Sequence, residues 1–323
     1  MFRLLKGFFS ILNRNKKKLF LVFSLSCFIF VLRFPWNDLL EKTFRDFQKQ
    51  SARSLQVDFE ELKLKLFPPG VEFKELEFLY RDQPISLSSA VISIDVAKWL
   101  AFKQGWKFKL FKEDSYLSFN FYKSEKKQKE EEEDSVPIEN YFIKGSAPFC
   151  SLKALNSFIP NTQFSGDMKA RFSYSGSPKE LEAIKAFLRI EGENISLSQL
   201  ELQTPLGPLN LPPIEWKSAQ VDFEVKESEV IFKKLQLGEP TDDLYIKMKG
   251  SGALAFSYRG QPRLNSYNLE LQIDLDKDFP LRILDLMFSA YKEDKGEFYR
   301  YSVQLIGQGN QVPNMEKLES FSF

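Results

Sequence analysis

The 323-residue chain contains no histidine. That removes the Ser-His-Asp and Cys-His nucleophile arrangements, histidine general bases and His-ligated zinc or iron sites. Cysteine is almost missing as well, with only Cys27 and Cys150 present. Cys27 falls inside a long apolar run, so an intramolecular disulfide is not expected, and Cys150 reads as a small apolar packing residue. There is no GxSxG elbow and no glycine loop ending in Lys-Ser or Lys-Thr to cradle a phosphate. A basic excess is also lacking. The chain sums to +1 and residues 1–18 carry +6, which leaves −5 on the remainder. A mildly acidic body without aromatics interleaved among Lys and Arg argues against nucleic acid as a partner.

What is present begins at the N-terminus. Arg3, Lys6, Arg14, Lys16, Lys17 and Lys18 precede a 14-residue uncharged run, Leu19 to Leu32, and no acid appears before Asp38. Leu19, Phe20, Leu21, Val22, Phe23, Leu25, Phe28, Ile29, Phe30, Val31 and Leu32 supply its apolar surface. A span of roughly 20 residues crosses a ~30 Å hydrocarbon core. Arg33 can snorkel and Trp36 suits headgroup depth, so a segment of 18 residues, Leu19 to Trp36, is workable with Lys16, Lys17 and Lys18 as the facing anchors. A cleaved signal peptide shares the basic start but ends in small residues. Arg33, Phe34, Pro35, Trp36 and Asn37 offer none, which favours an uncleaved anchor with residues 1–18 cytoplasmic and the rest across the membrane.

Residues 37–54 carry Leu39, Leu40, Phe44 and Phe47 at helical spacing, predicting a helix that packs on the following domain or lies on the bilayer. From Leu55 the period becomes two. Phase slips at Glu60-Glu61 and Lys74-Glu75 suggest bulges or tight turns, and Pro68-Pro69-Gly70 ends a strand. Residues 55–122 and 137–310 read as two strand-rich parts, with a tail at 311–323. Between them, residues 123–136 form a charge block ending in five acids, Glu130 to Asp134, which reads as a solvated, disordered insertion. Without EF-hand spacing or a turn glycine it makes no calcium loop. Short helices are predicted at Pro148–Ile159 and from Asp278 to about Tyr291, and a hairpin turn at Lys226–Glu229. Thr204 to Pro213, with four prolines, fits an extended edge or loop.

Two carboxylates alone can run glycoside hydrolysis, and Asp274 and Asp276 lie close together in sequence. They alternate with Leu271, Ile273 and Leu275, so they read as the wet face of an ordinary strand. The 33 phenylalanines could line an open, curved sheet that shelters acyl chains, or fill a closed core. Periodicity does not separate a groove from a core.

The order of features resembles the type II secretion system protein N (GspN-like) family, itself similar to AsmA-like envelope proteins. Three places carry the resemblance. The first is the anchor leading through a helix into FPPGVEFKELEF. The second is FSGDMKARFSYSG with IEGENISLSQLEL. The third is LNLPPIEW followed by VDFEVKESEVIFKKLQLGEPTDDLYIKMKGSGALAF. The likeness covers most of residues 19–310 in layout.

It implies a mainly β protein: an N-terminal transmembrane helix, then a curved antiparallel meander forming a groove-like domain with a few short helices. It also implies a non-enzymatic, cofactor-free component of the general secretion apparatus, held in the cell inner membrane with its bulk periplasmic. Its partners would be the membrane and other secretion-system proteins. The AsmA-like relatives imply the alternative of a lipid-binding or lipid-transfer groove.

Overall fold

A computed structural model describes residues 38–39, 41–42, 45–46, 57–80, 83–101, 103–126, 138–156, 162–177, 181–204, 207–256, 262–280, 288–309 and 313–323. The chain divides into two units, Met1–Ser54 and Leu55–Phe323. In the first, the described residues 38, 39, 41, 42, 45 and 46 are helical, and Arg45 pairs with Glu41 one turn away at 3.0 Å. The predicted anchor, residues 19–36, lies outside the described residues. No described helix is long and apolar enough to cross a membrane.

The second unit is one curved, open antiparallel sheet of 17 strands. They are β1 (Val57–Asp58), β2 (Glu61–Leu66), β3 (Pro69–Tyr80), β4 (Gln83–Ile94), β5 (Gln104–Lys112), β6 (Ser115–Lys126), β7 (Ile138–Ser151), β8 (Thr162–Gly176) and β9 (Lys185–Thr204). Then come β10 (Gly207–Leu211), β11 (Ile214–Lys226), β12 (Glu229–Leu237), β13 (Leu244–Phe256), β14 (Pro262–Asp276), β15 (Lys292–Asp294), β16 (Phe298–Gln308) and β17 (Asn314–Lys317).

Order in the sheet follows order in the chain. β1 and β2 both pair with β3, and each strand from β3 to β9 pairs with the next. β10 and β11 share β9, split by Pro212-Pro213. β11 to β14 continue the meander, and β14 passes over β15 to pair with β16, whose other side carries β15 and β17. Among the described residues no strand joins the β1–β2 edge to the β15–β17 edge, so the sheet is open.

The sequence slips have a common origin. Apolar positions change parity between Phe59 and Leu62 in the first edge, between Phe73 and Leu76 in β3, and between Leu87 and Ala90 in β4. These three places lie side by side, because Lys74 pairs with Ser89 and Leu76 with Leu87, while Glu60 N donates to Lys74 O. Glu75 takes φ 46°, which turns the strand without breaking its register.

The hairpin at Lys226–Glu229 forms as expected. Lys226 pairs with Glu229, and Glu227 and Ser228 make a two-residue turn with φ 53° and 66°. One of the two helix expectations needs correction. Pro148–Ser151 end strand β7, with a register shift between Ala147 and Cys150, and among the described residues only Leu152–Leu155 coil, as one 3-10 turn. Pairing to β6 and β8 outweighs the helical spacing there. Of the second helix, residues 281–287 lie outside the described residues, and Ser289–Tyr291 form a 3-10 turn. A one-turn helix at Val96–Leu100 was not foreseen.

The charge block is interrupted less than expected. β6 runs into it as far as Lys126, and Lys123 Nζ bonds Glu139 Oε1 across to β7. The sheet therefore continues directly from β6 to β7. Residues 127–137 lie outside the described residues.

The buried cluster sits at one end of the sheet: Leu197, Ile214, Trp216, Leu244, Ile273, Leu275, Phe288, Tyr301 and Val303, with Phe279 and Tyr291 packed against it.

Candidate functional site

Antiparallel register joins side chains into rows that run across the strands. One row passes through Leu64, Val71, Ile92, Phe108, Phe119, Gly145, Phe172, Leu188, Phe223, Phe232, Gly250, Leu269, Leu305 and Met315, each paired with the next. Every position is apolar or glycine. Each is half-buried, neither fully enclosed nor fully exposed.

Two parallel rows flank it on the same face. Ile94, Trp106, Phe121, Ile143, Tyr174, Ala186, Val225, Val230, Gly252, Tyr267 and Gly307 form one. Ala147, Ala170, Ile190, Val221, Leu235, Met248, Leu271 and Val303 form part of the other. The opposite face presents Asn120, Lys144, Arg171, Arg189 and Asn268 to water.

No second layer covers the apolar rows among the described residues, yet they are sheltered. Each side chain is sheltered by its neighbours on the same face, across the strands and along them. Rings reinforce the rows: Phe108 stacks on Phe119 with centroids 4.6 Å apart, and Phe223 meets Phe232 at 6.2 Å. Glycine is required where a ring crosses a neighbouring strand. A Cβ on Gly145 would lie 2.5 Å from Phe172 Cζ and 2.6 Å from Phe119 Cβ, and one on Gly307 2.2 Å from Tyr267 Cζ. At one end of the sheet Phe279 and Tyr291 pack on the buried cluster that contains Phe288.

Polar constellations have structural explanations. No group of metal-ligating side chains assembles among the described residues. Asp274 is not on a wet face as expected. It is 6% exposed and accepts two bonds of 2.7 Å from Arg300, while Gln272 Nε2 donates to both its oxygens at 3.1 Å. The bond to Asp274 holds the Arg300 guanidinium above its ordinary pKa. Asp276 caps its own turn, accepting from Asp278 N at 2.8 Å. The two carboxylates therefore do different structural jobs. Asp242 similarly ties a loop together, accepting from the backbone N–H groups of Lys217 and Glu239.

The expected anchor residues, Leu19 to Leu32 with Lys16, Lys17, Lys18, Arg33 and Trp36, lie outside the described residues. The residues of these rows were visible in the sequence only as separate alternations. Gly145 and Gly250, each inside a strand pattern, were the signal that strands and rings approach closely there.

No protein-family model, no curated protein and no solved structure matches the chain. The functional reading therefore starts from the apolar face of the sheet.

Proposed function

We propose that the protein is a non-enzymatic, membrane-tethered envelope component that holds lipid acyl chains along the concave face of its sheet. The observation that carries this reading is the fourteen-strand apolar row in which every position stays half-exposed. An ordinary core buries such residues fully. A face of this size left to water is unfavourable, and each acyl methylene laid on it gains about 0.8 kcal/mol. The AsmA-like resemblance supports the same occupant.

The test is site-specific photo-crosslinking in the full-length protein, with benzoylphenylalanine at Phe119, Phe172 or Leu269 on the concave face and at Lys144 or Arg171 on the other. Phospholipid adducts are expected from the first set alone. Equal yields from both sets, or none from the concave positions, would overturn the reading.

A role in assembling a secretion apparatus is the second reading, favoured by the two sheet edges that carry no further strand among the described residues. Edge backbone can add a partner strand. Against it, β2 displays Lys63 and Lys65, and β17 is four residues long, both features that resist strand addition. Recovery of secretion-system proteins after envelope crosslinking would support it.

A further inference from the structure

We infer that the end of the sheet opposite the Phe288 cluster is a docking tip for a bilayer surface carrying anionic headgroups. The three most exposed large apolar side chains among the described residues gather there, Phe67 at 89%, Leu100 at 77% and Leu66 at 55%, together with Trp99 at 47%. They belong to two connections at the same sheet end, the β2–β3 turn and the β4–β5 link, because Leu66 pairs with Pro69, Gly70 with Ser93 and Ile94 with Trp106.

The tip is built rather than frayed. Trp99 Nε1 donates to Gly105 O at 3.2 Å, and its ring meets Trp106 edge-on at 6.4 Å. Lys98 is held over the Tyr122 ring at 4.3 Å.

Charge identifies the occupant. Residues 65–72 and 95–107 contain Lys65, Lys98, Lys103 and Lys107 against Glu72 and Asp95, a net +2 in a chain whose other post-anchor residues are acidic overall, with Lys65 paired to Glu72 at 3.1 Å. Asp95 is buried at 7% and paired with Lys107 at 3.4 Å, so it presents no negative surface. Tryptophan, aliphatic and phenyl side chains beside lysines match the interfacial layer of a bilayer, where indole rings sit at headgroup depth and each lysine attracts anionic lipid. A protein partner of matching shape would need acids, whereas a membrane supplies both acids and hydrocarbon. Trp106 also belongs to the concave rows, so the docked end is continuous with the groove mouth. The inference goes beyond the groove reading and does not depend on acyl chains lying in it.

The experiment uses the full-length protein held in nanodiscs, with Cys27 and Cys150 replaced by serine and a single environment-sensitive NBD label at Phe67→Cys or Leu100→Cys. A control label sits at Lys144→Cys. Added vesicles of phosphatidylcholine with 30% phosphatidylglycerol should blue-shift and brighten NBD at positions 67 and 100 several-fold, leaving position 144 unchanged. Lys103→Ser should weaken vesicle binding roughly five-fold at low salt. The pair Phe67→Ser, Leu100→Ser should abolish it with unchanged circular dichroism, because both side chains are exposed. No shift at positions 67 and 100, an equal shift with pure phosphatidylcholine, or a shift on concentrating the protein without vesicles overturns the inference. Photo-crosslinking at Phe172 reads the groove separately, so failure of one proposal is distinguishable from failure of the other.

Discussion

Asp274 accepts hydrogen bonds from Nε and Nη2 of Arg300 while almost out of contact with water, whereas the Arg300 side chain is 32% exposed. Breaking the pair should therefore cost different amounts from its two sides. Arg300→Ala leaves a buried, uncompensated carboxylate and should destabilise by about 3–5 kcal/mol. Asp274→Ala leaves a guanidinium that water partly reaches, so about 2 kcal/mol is expected. Urea unfolding of the two variants checks the order, with Arg300→Ala expected at the lower midpoint and the slope unchanged. Glu293 gives the pH counterpart. Lys295 Nζ at 2.9 Å and Lys317 Nζ at 3.0 Å hold its pKa down to about 2 from an ordinary 4.5. A depressed carboxylate contributes stability that is complete above its unfolded value and lost as pH falls through its folded one. The difference in thermal midpoint between wild type and Glu293→Gln should thus persist at pH 7, shrink below about pH 4.5 and vanish near pH 2. The pair is solvent-exposed, so 1 M salt should shrink the difference at pH 7 too. At this scale the sequence was a poor guide to Asp274. Alternation placed it opposite Ile273 and Leu275 correctly, but alternation says nothing of Tyr245 and Arg300, which flank it from the neighbouring strands.

The turn Glu227-Ser228 shows how an element can be legible in place and obscure in kind. Val225 and Val230 on either side announced a hairpin, and the register agrees. Both turn residues adopt positive φ, 53° and 66°, the mirror-image turn that glycine and asparagine fit best. Neither is present. Replacing Glu227→Asn with Ser228→Gly should stabilise the protein by about 1 kcal/mol, raising the thermal midpoint without altering the β12–β13 register. The backbone bond from Leu254 N to Ser228 O survives the exchange, since it uses no side chain. An unchanged or lower midpoint would mean that Glu227 or Ser228 makes a compensating contact. The helix expected at Pro148–Ile159 failed for a different reason. Leu152–Leu155 do coil, but Cys150 and Ser151 are already paired to Met168 and Asp167. Long-range pairing overrode local spacing.

For the whole sheet, strand existence was readable because each alternation is local. Its use was not, because rows such as Phe119–Gly145–Phe172–Leu188 exist only once register is set. Groove and core then differ in one measurable respect, the response to a buried charge. A carboxylate at a fully enclosed apolar position has no solvent and should cost well over 4 kcal/mol, enough to unfold a marginal domain. Ile273, at 6% exposure in the buried cluster, is such a position. Leu188 lies on the half-exposed row. Leu188→Asp can turn its carboxylate into the water that fills an unoccupied groove, so its cost should stay near 1–2 kcal/mol, the loss of a partly buried aliphatic contact. Ile273→Asp should lose the cooperative unfolding transition, and Leu188→Asp should keep it while losing lipid adducts from benzoylphenylalanine at Phe172. If Leu188→Asp unfolds the protein as completely as Ile273→Asp, the concave face is enclosed and filled by the protein itself, and an acyl chain has no place on it.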